Sequence, residues 1–527
     1  MESVNEAKNY DYIIIGSGFG GSVSALRMAQ KGYRVLLFEK GKWFGQEDFA
    51  KSNWNIRKWL WLPQLNFFGI QKISFFRHVS VLSGVGVGGG SLVYANTLPK
   101  PKKPFFNQGS WAGLADWEGE LEPFYTEAWR MLGATENPYF GENDLAFKQL
   151  AKEMGKEDKF MSVKAAVYFG KKEVTVPDPY FNGEGPDRTG CIFCGSCMTG
   201  CRHNAKNTLD KNYLYLAQKL GVEIRAGAEV TDIIDIGNSG GRKGYQIKGK
   251  VLGNAAGNKK VFDESCSGVI LSGGVLGTIP LLLKQKRKNL PALSDRLGEM
   301  VRTNNEALIL TTSIDKNRDM SDGIAIGSIL ETDENTNIEP CRYGHGSGFW
   351  RLLAMPMVSE KNFFLRVLKL LFIPFTAPLT WFKIFTSGDF GKQTSVILFM
   401  QHLDSTLKLR KGVFGLKTEV AEGKNPTAFI PEAHELARKF AKIINGKPLV
   451  MFTETLTGIP STAHILGGCV IGKDRESGVI DKKHQVFGYQ NMYVCDGSAI
   501  SANPGVNPSL TITAMSERAM SLIEKKV

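Results

Sequence analysis

The sequence predicts an α/β fold with a nucleotide-binding domain and a second domain rich in β-sheet. Three observations predict it: an apolar run followed by a glycine-rich turn and a helical pattern near the N-terminus, several later runs with strand periodicity, and a length of 527 residues. A chain of that length is too long for one compact core. At least two packed domains of roughly 100–250 residues are therefore expected.

The first element is a βαβ unit. An apolar, β-branched run over 10–15 predicts a strand, 16–21 a glycine turn, 23–31 a helix, and 33–38 a second strand that closes at Glu39. In a Rossmann-type unit, such glycines let the backbone approach a pyrophosphate, and an acidic residue about twenty positions on accepts from a ribose hydroxyl. The unit therefore predicts an ADP-containing cofactor, bound by Gly16, Gly18, Gly21 and Glu39.

The rest of the chain shows further loop, helix and strand patterns. Residues 53–76 are unusually aromatic, 84–91 form a second glycine-rich loop, and 170–190, dense in Pro, Gly, Asp and Asn, are irregular. Helices are expected within 105–165 and over 208–220. Strands are expected near 222–235, 245–252, 268–272, 306–313, 324–330 and 394–400.

These patterns divide the chain into five segments. Three belong to the nucleotide-binding domain, one is helical and contains a cysteine cluster, and one is a β-rich substrate-binding domain. In chain order they are 1–105 (nucleotide-binding, first part), 106–220 (helical and cysteine-cluster region), 221–300 (nucleotide-binding, second part), 301–450 (substrate-binding) and 451–527 (nucleotide-binding, C-terminal part with the catalytic residues).

Three further motifs accompany the βαβ unit. They are Gly84-Val-Gly-Val-Gly-Gly-Gly-Ser-Leu-Val-Tyr94, Ser272-Gly-Gly-Val-Leu-Gly-Thr-Ile-Pro280 and Tyr493-Val-Cys-Asp-Gly497. Over residues 10 to about 520 the chain resembles the glucose-methanol-choline (GMC) oxidoreductases. Within that family, His464-Ile-Leu-Gly-Gly and Gly505-Val-Asn-Pro-Ser look like the cholesterol oxidase branch. The resemblance implies the GMC oxidoreductase fold, FAD as the cofactor, and further cofactor-binding residues. These are Gly88, Gly89, Ser91, Asp496, Gly497 and Asn507.

Two residues are candidates for the reacting centre. Removing a hydride from an alcohol carbon requires a base near the hydroxyl proton, and histidine suits that task near neutral pH. His464 falls where the resembled branch carries its active-site histidine. Asn507 precedes Pro508 and a helical pattern over 509–523, so local chemistry predicts an N-cap. The resemblance implies a second role for Asn507, hydrogen bonding to the substrate oxygen or polarising the flavin.

Glu339 is a third catalytic candidate. Some cholesterol oxidases carry a glutamate in the substrate domain that moves a proton during double-bond isomerisation, and the resemblance implies that Glu339 matches it. A solvated carboxylate is the alternative.

Four of the eight cysteines lie in one short segment. Cys191, Cys194, Cys197 and Cys201 have the spacing of the bacterial ferredoxin ligand run. An iron–sulfur cluster, a zinc ion and unliganded thiols each remain open, and His203 is a candidate extra ligand. A cluster near the flavin would indicate a dehydrogenase that passes electrons onward.

The charge and the N-terminal residues bear on location. Lys and Arg number 65 against 52 Asp and Glu, for a formal charge of +13, which favours anionic surfaces such as lipid headgroups. A solvated basic surface is the alternative, and we expect no nucleic-acid partner. The N-terminal residues show no secretory signal pattern, so a cytoplasmic location, peripheral at the membrane, is expected.

Residues 363–385 are almost wholly apolar, interrupted by Arg366, Lys369, Lys383 and two prolines. The charge-free part, 370–382, is shorter than the roughly twenty residues that span a bilayer. The pattern predicts an interfacial segment or a lid, with the basic residues at the headgroups. Together with the aromatic stretch 54–76 it would form an apolar entrance, and core packing or a dimer contact is the alternative.

The sequence therefore predicts an FAD-dependent oxidoreductase that oxidises a lipophilic, sterol-like alcohol by hydride transfer to the flavin, with His464 as base and Asn507 as polarising group. A water-soluble sugar is disfavoured, because hydroxyl recognition would need more polar residues near 363–385. One alternative is a long-chain fatty alcohol dehydrogenase. Another is an iron–sulfur electron-transfer flavoprotein that works with a partner acceptor. The electron acceptor is oxygen or another molecule.

Overall fold

The computed structural model describes residues 10–252, 260–413 and 415–527. Two seven-stranded sheets dominate it, each covered by helices. The predicted α/β class, with one sheet in a nucleotide-binding domain and a second sheet-rich domain, is confirmed.

The first sheet, called the nucleotide sheet, is built around Tyr10–Ile15 and Val261–Leu271, which pair in parallel. Val261–Leu271 pairs antiparallel with Tyr245–Val251 along its first half and parallel with Met492–Val494 along its last three residues. The C-terminal segment of the chain therefore completes a sheet that the N-terminal segment begins. The spatial order is Glu223–Arg225, Val35–Phe38, Tyr10–Ile15, Val261–Leu271, Tyr245–Val251 and Ala228–Asp235.

Helix Phe19–Gln30 packs on this sheet because glycines remove the side chains that would hold it away. A Cβ on Gly21 would lie 2.0 Å from the carbonyl oxygen of Gly16, and one on Gly20 would lie 1.7 Å from that of Cys495. The helix also contacts the C-terminal helix Ser509–Ser521. These two helices begin at the same side of the sheet, where the glycine turn lies.

The second sheet, called the substrate sheet, is antiparallel throughout. Most of its strands come from the predicted substrate-binding segment, but Phe160–Ser162, in the segment predicted to be helical, adds an edge strand through Ser328–Glu331. The order is Ala354–Pro356, Gly446–Met451, Ala307–Ser313, Thr394–Gln401, Thr336–Cys341, Ser328–Glu331 and Phe160–Ser162.

Smaller sheets join the two large ones. Ser80–Gly84 pairs with Gln71–Phe75 and, in parallel, with Ser461–Thr462, just before His464. A second three-stranded sheet contains Val301–Arg302, Thr406–Gly412 and Gly415–Val420. The remaining short strands are Trp61–Leu62, Phe67–Phe68, Thr135–Glu136, Lys164–Ala165, Thr175–Val176 and Arg188–Thr189.

Helices cover both sheets. In the described residues the α-helices are Phe19–Gln30, Ile56–Trp59, Trp117–Met131, Glu142–Glu153, Tyr213–Lys219, Val275–Lys286, Phe363–Thr376, Pro378–Phe385, Phe390–Gln393, Pro431–Ile443, Phe452–Thr457 and Ser509–Ser521.

The apolar segment 363–385 folds as two helices that meet at 96°. Within the described ranges, no single helix is both long and apolar enough to cross a membrane, whereas Phe363–Thr376 and Pro378–Phe385 pass that test of length and composition as a bent pair.

Candidate active site

A cavity of about 690 Å³ lies between the nucleotide sheet and the substrate sheet. Its volume falls within the usual range for cofactor and substrate pockets. At one end it is lined by the glycine turn after Tyr10–Ile15, and at the other by His464, Asn507 and strands of the substrate sheet. We refer to these as the nucleotide end and the substrate end.

The nucleotide end is formed mainly by backbone. Gly16 adopts φ +102°, and a Cβ there would lie 2.4 Å from the carbonyl oxygen of Ser272, so only glycine fits. Gly18 precedes the first helical residue, and its Cα has open space on the side of the cavity. A bound pyrophosphate could therefore approach the N-terminus of Phe19–Gln30 closely, as the sequence predicts.

Glu39 also lines this end, but its carboxylate has protein partners. Oε2 accepts from the backbone N–H and hydroxyl of Ser17 at 3.1 and 2.8 Å, and Oε1 accepts from the Gly41 N–H at 2.8 Å. The carboxylate thus ties the glycine turn to the end of Val35–Phe38. Oε1 accepts only one of these hydrogen bonds, and its second lone pair leaves capacity for a ribose hydroxyl.

Three predicted cofactor-binding residues do not line the cavity. Gly21 serves helix-to-strand packing. The Ser91 hydroxyl donates to the Gly88 carbonyl at 2.7 Å and accepts from the Leu209 N–H at 3.1 Å, so it shapes its own loop. Gly89 and Gly90 are members of this loop that do line the cavity, and Gly89 lies beside Gly18.

Asp496 and Gly497 line the cavity where the C-terminal segment leaves the nucleotide sheet. The Asp496 carboxyl accepts from the Gly274 N–H at 2.8 Å and the Thr278 hydroxyl at 2.5 Å. It also accepts from the Ser498 N–H at 2.8 Å. Burial nevertheless outweighs these hydrogen bonds and raises the pKa of Asp496. Its visible role is to join the loops around residues 274 and 497.

His464 lies at the substrate end with its side chain 13% exposed. Its Nδ1 is 2.5 Å from Oε2 of Glu306, whose side chain is fully buried. The other oxygen of Glu306 accepts from the backbone N–H of Ala463. Sequence reasoning missed Glu306, because no local motif marks a contact between residues 158 positions apart.

Asn507 lies in the same cavity wall as His464. Its Oδ1 is buried and has no hydrogen-bond partner among the described residues. The following helix begins at Ser509 with Pro508 at the cap position, so the predicted N-cap role of Asn507 is wrong by one residue. Its amide is consequently free of the helix and available to a ligand, while Pro508 and Ser509 bring the helix N-terminus to the cavity.

Glu339 is fully buried in strand Thr336–Cys341, so the alternative of a solvated carboxylate is wrong. Burial raises its pKa to about 8, the adjacent Asn507 amide lowers it in part, and the charge of Glu306 raises it further. Glu339 does not line the cavity. Glu454, a second carboxyl that sequence reasoning missed, also has a pKa of about 8, because burial outweighs hydrogen bonding to Ser461. Both carboxyls are therefore neutral at pH 7.

The residues present fit FAD. The nucleotide end has the open glycine turn and the helix N-terminus that a pyrophosphate needs, and the substrate end has an unpaired buried amide oxygen and a histidine. Both ends belong to one cavity. A dinucleotide held by the glycine turn can thus extend toward His464 and Asn507.

The four clustered cysteines do not line this cavity. Cys191, Cys194, Cys197 and Cys201 line a small separate pocket with His203. Burial raises the pKa of the Cys197 thiol to about 11, which favours the neutral form. In the parts of the chain that the structure describes, no three His, Cys, Asp or Glu side chains are arranged to hold a metal ion.

Helices Phe363–Thr376 and Pro378–Phe385 expose an apolar patch. Phe364 is 80% exposed, Phe375 79% and Leu379 75%. On the opposite side, Trp381 belongs to the same buried apolar cluster as Leu310 and Trp350, which line the cavity. The members of the apolar patch are Phe364, Leu365, Leu368, Leu371, Phe372, Phe375, Leu379 and Phe382.

Arg366 does not reach the surface, and the prediction that it lies at lipid headgroups is wrong. Only 3% of it is exposed. Its guanidinium donates to the carbonyls of Thr455 at 2.6 Å and of Glu360 and Lys361 at 3.0 Å. It therefore fastens helix Phe363–Thr376 to the body of the protein.

Family models for GMC oxidoreductases match this chain in two parts. The N-terminal model covers residues 10–286 and the C-terminal model covers 428–516. The first match includes the glycine turn, and the second includes His464 and Asn507.

Similar proteins match over nearly the whole chain. A cholesterol oxidase from Acinetobacter baumannii is 44% identical over 98% of this chain and 95% of its own length. A cholesterol oxidase from Mycobacterium tuberculosis is 42% identical over 98% of this chain and 92% of its own length. Among solved structures, pyridoxine 4-oxidase from Mesorbium loti matches with a TM-score of 0.60 at 14% identity, over 97% of this chain and 99% of that one, which shows a shared fold.

Proposed function

Since this chain belongs to the GMC oxidoreductase family, and is an FAD-dependent oxidoreductase that acts on CH–OH groups, we propose that its substrate is a lipophilic alcohol of the sterol class. The observation that carries this proposal is the composition of the substrate end. A histidine and an amide lie beside a wall that the substrate sheet supplies mainly with apolar side chains. That wall includes Leu308, Leu310, Ile326, Val396, Leu398 and Met451.

The apolar wall supports a rigid hydrocarbon substrate with a single hydroxyl. Buried polar groups that recognise several hydroxyls would be needed for a sugar, and the strands that face this end supply mainly aliphatic side chains. Apolar surface brought out of contact with water stabilises such a substrate in proportion to its area. The names of the relatives from Acinetobacter baumannii and Mycobacterium tuberculosis point to the same substrate class.

His464 acts as the base for the hydroxyl proton. Its Nδ1 faces Glu306, so Nε2 is the ring nitrogen available to a hydroxyl in the cavity. The hydroxyl proton moves to Nε2 as the carbonyl forms, and FAD, when bound, accepts the hydride from the alcohol carbon. The Asn507 amide positions the substrate oxygen and polarises the reacting centre.

Glu339 acts as the proton-moving group for a double-bond isomerisation after oxidation. The isomerisation removes a proton from one carbon of the ketone product and returns it to another, so Glu339 accepts the proton in its ionised form and then donates it back. A pKa of about 8 makes its carboxylate a stronger base than an ordinary glutamate, close to the operating pH. Because Glu339 lies beside Asn507 rather than on the cavity wall, movement of the Asn507 side chain would be needed for substrate contact.

The apolar patch brings the enzyme to the lipid in which such a substrate dissolves, as a peripheral contact at the cytoplasmic face. Aromatic and leucine side chains on two short, bent helices suit burial at the acyl boundary. The formal charge of +13 adds attraction to anionic headgroups. Since Trp381 shares a buried apolar cluster with cavity-lining residues, the two helices that carry the patch are connected to the substrate end through that cluster.

An anaerobic absorption spectrum tests the substrate class. We expect the flavin bands of the holoenzyme to bleach on addition of cholesterol, more slowly with a long-chain primary alcohol, and not with glucose. His464→Ala should retain the flavin and slow the bleaching by 10²–10⁴-fold, the usual contribution of a general base.

Other outcomes select the alternatives. Bleaching by the long-chain alcohol alone would favour a fatty alcohol dehydrogenase. Flavin that stays oxidised with every alcohol, in protein that contains iron and acid-labile sulfide, would favour the electron-transfer flavoprotein. Oxygen consumption during turnover separates oxygen from another acceptor.

A further inference from the structure

Residues 302–306 contact both segments that carry the reacting groups. Arg302 exchanges two backbone hydrogen bonds with Leu466, at 2.7 and 2.9 Å, two residues beyond His464. The Asn304 side chain accepts from the Gly505 N–H at 2.8 Å and donates to the Val506 carbonyl at 3.0 Å, immediately before Asn507. Residues 302–306 therefore fix the separation between the segment that carries His464 and the segment that carries Asn507.

Glu306 is the member of this segment that touches His464. Oε2 lies 2.5 Å from Nδ1 of the imidazole, and Oε1 accepts from the Ala463 N–H. Both oxygens thus accept hydrogen bonds from the same turn of the chain. A carboxylate has no proton to donate, so Nδ1 must carry the hydrogen in this contact.

Hydrogen bonding distinguishes Glu306 from the other two carboxyls at this end. Burial, with a smaller contribution from Glu306, raises the pKa of both Glu339 and Glu454 to about 8. Of the three carboxyls, Glu306 is the one with hydrogen bonds from the turn of His464 to both oxygens. By contrast, the Asn507 amide is the only group in the described residues that lowers the pKa of Glu339.

We propose that Glu306 is a positioning residue that holds His464 in the tautomer with the proton on Nδ1, so that Nε2 stays unprotonated and faces the substrate hydroxyl. The catalytic use of this arrangement rests on the proposed function. The tautomer itself does not, because it follows from the contacts within the chain. After Nε2 takes the hydroxyl proton, the carboxylate also stabilises the imidazolium that results.

Nitrogen NMR of holoenzyme labelled with ¹⁵N-histidine tests the tautomer without any substrate. The chain has only seven histidines, and the His464 signals are those lost in His464→Ala. We expect a protonated Nδ1 and an unprotonated Nε2 in the wild type. In Glu306→Gln, the side-chain amide can present an N–H toward Nδ1, and the Nε2-protonated form should appear. A wild-type His464 protonated on Nε2 alone would overturn the proposal.

Kinetics separate positioning from a general structural role. Glu306→Gln should slow cholesterol-driven bleaching at saturating substrate about 10²-fold, with little change in the half-saturating concentration. In a His464→Ala background the same substitution should change the rate less than about threefold, since the residue acts through the histidine. Glu454→Gln removes another buried carboxyl that does not contact His464 and is the matched control.

The outcomes remain distinguishable. A rate loss in Glu454→Gln equal to that in Glu306→Gln, or an undiminished effect of Glu306→Gln without His464, would overturn the positioning role. A wild-type enzyme with the expected tautomer but no bleaching by any alcohol would overturn the proposed function alone. Flavin content and melting temperature, measured for every variant, identify any that fails to fold.

Discussion

The two ends of the cavity are built by different means. At the nucleotide end three glycines close together in sequence are critical because they lack a side chain: Gly16 and Gly20 are tightly enclosed by backbone, and Gly18 leaves open space for the cofactor. At the substrate end they are side chains from distant segments, among them Glu306 and His464. The first end depends on a short motif, whereas the second depends on how the substrate sheet docks on the nucleotide sheet. Substitutions should therefore damage the two ends in different ways.

The largest loss of folding free energy is expected at the glycine whose added Cβ would lie closest to a backbone atom. Gly20→Ala places a Cβ 1.7 Å from the carbonyl oxygen of Cys495, and neither backbone can move freely. We expect a loss of about 3–5 kcal/mol of folding free energy, through overpacking. Denaturant unfolding of the purified variant measures it.

Gly18→Ala is the matched control at the same turn. A Cβ there has its nearest protein atom 3.9 Å away, so stability without cofactor should change by about 1 kcal/mol or less. Flavin affinity should nevertheless fall at least tenfold, because the methyl group occupies the space of a pyrophosphate. Equal loss of stability in both variants would contradict the distinction between packing and cofactor glycines.

The next largest effect is expected at the substrate end, in the pH dependence of the folding free energy caused by Glu339. Folding raises the pKa of Glu339 from 4.5 to about 8, so its stabilising effect is complete below pH 4.5 and is lost as the pH rises through 8. Glu339→Gln should abolish that loss. Between pH 5 and 8 the variant should lose about 2–4 kcal/mol less folding free energy than the wild type.

Melting curves of the holoenzyme at several pH values measure this effect. Glu454→Gln should show a change of the same sign, because its pKa is raised by burial in the same way. If the melting temperatures of the wild type and Glu339→Gln changed in parallel with pH, Glu339 would not be held neutral in the folded protein.

The smallest effect is expected at the apolar patch. Phe372→Ser and Phe375→Ser each remove one exposed aromatic side chain, so binding to phospholipid vesicles with an anionic component should fall about tenfold for each. Bleaching by cholesterol dispersed in detergent should not change. Leu145→Ser, which removes an apolar side chain of 54% exposure from helix Glu142–Glu153, is the control. Unchanged vesicle binding in the patch variants would exclude the patch as the lipid contact.

The same comparison explains what the sequence could reveal. The glycine turn and Glu39 follow from a local motif, because strand, turn and helix are consecutive there. His464 and Asn507 came from resemblance, and the structure brings both to one cavity. Glu306 could not be found, since no sequence pattern records a contact between the residue before a strand and a turn far along the chain, and no motif marks Glu454. Arg366 was misassigned for a related reason: its carbonyl acceptors include Thr455, 89 positions away.

The cysteine segment marks another limit. Ferredoxin-like spacing constrains only the order of thiols along the chain, and ligation also requires that they converge on one point. In the described residues they line a pocket without a metal-binding arrangement. Spacing alone therefore left an iron–sulfur cluster, a zinc ion and unliganded thiols open, because it carries no information on geometry.

The pairing of Met492–Val494 with Val261–Leu271 affects how the protein is made. The cofactor's binding surface needs residues near both ends of the chain, so a nascent chain that has emerged only to residue 300 lacks Asp496, Gly497 and the helix that begins at Ser509. Domains generally fold as units during synthesis. Here the first such unit stays incomplete until Met492–Val494 and helix Ser509–Ser521 have been made, so we expect stable flavin incorporation only after those residues have emerged.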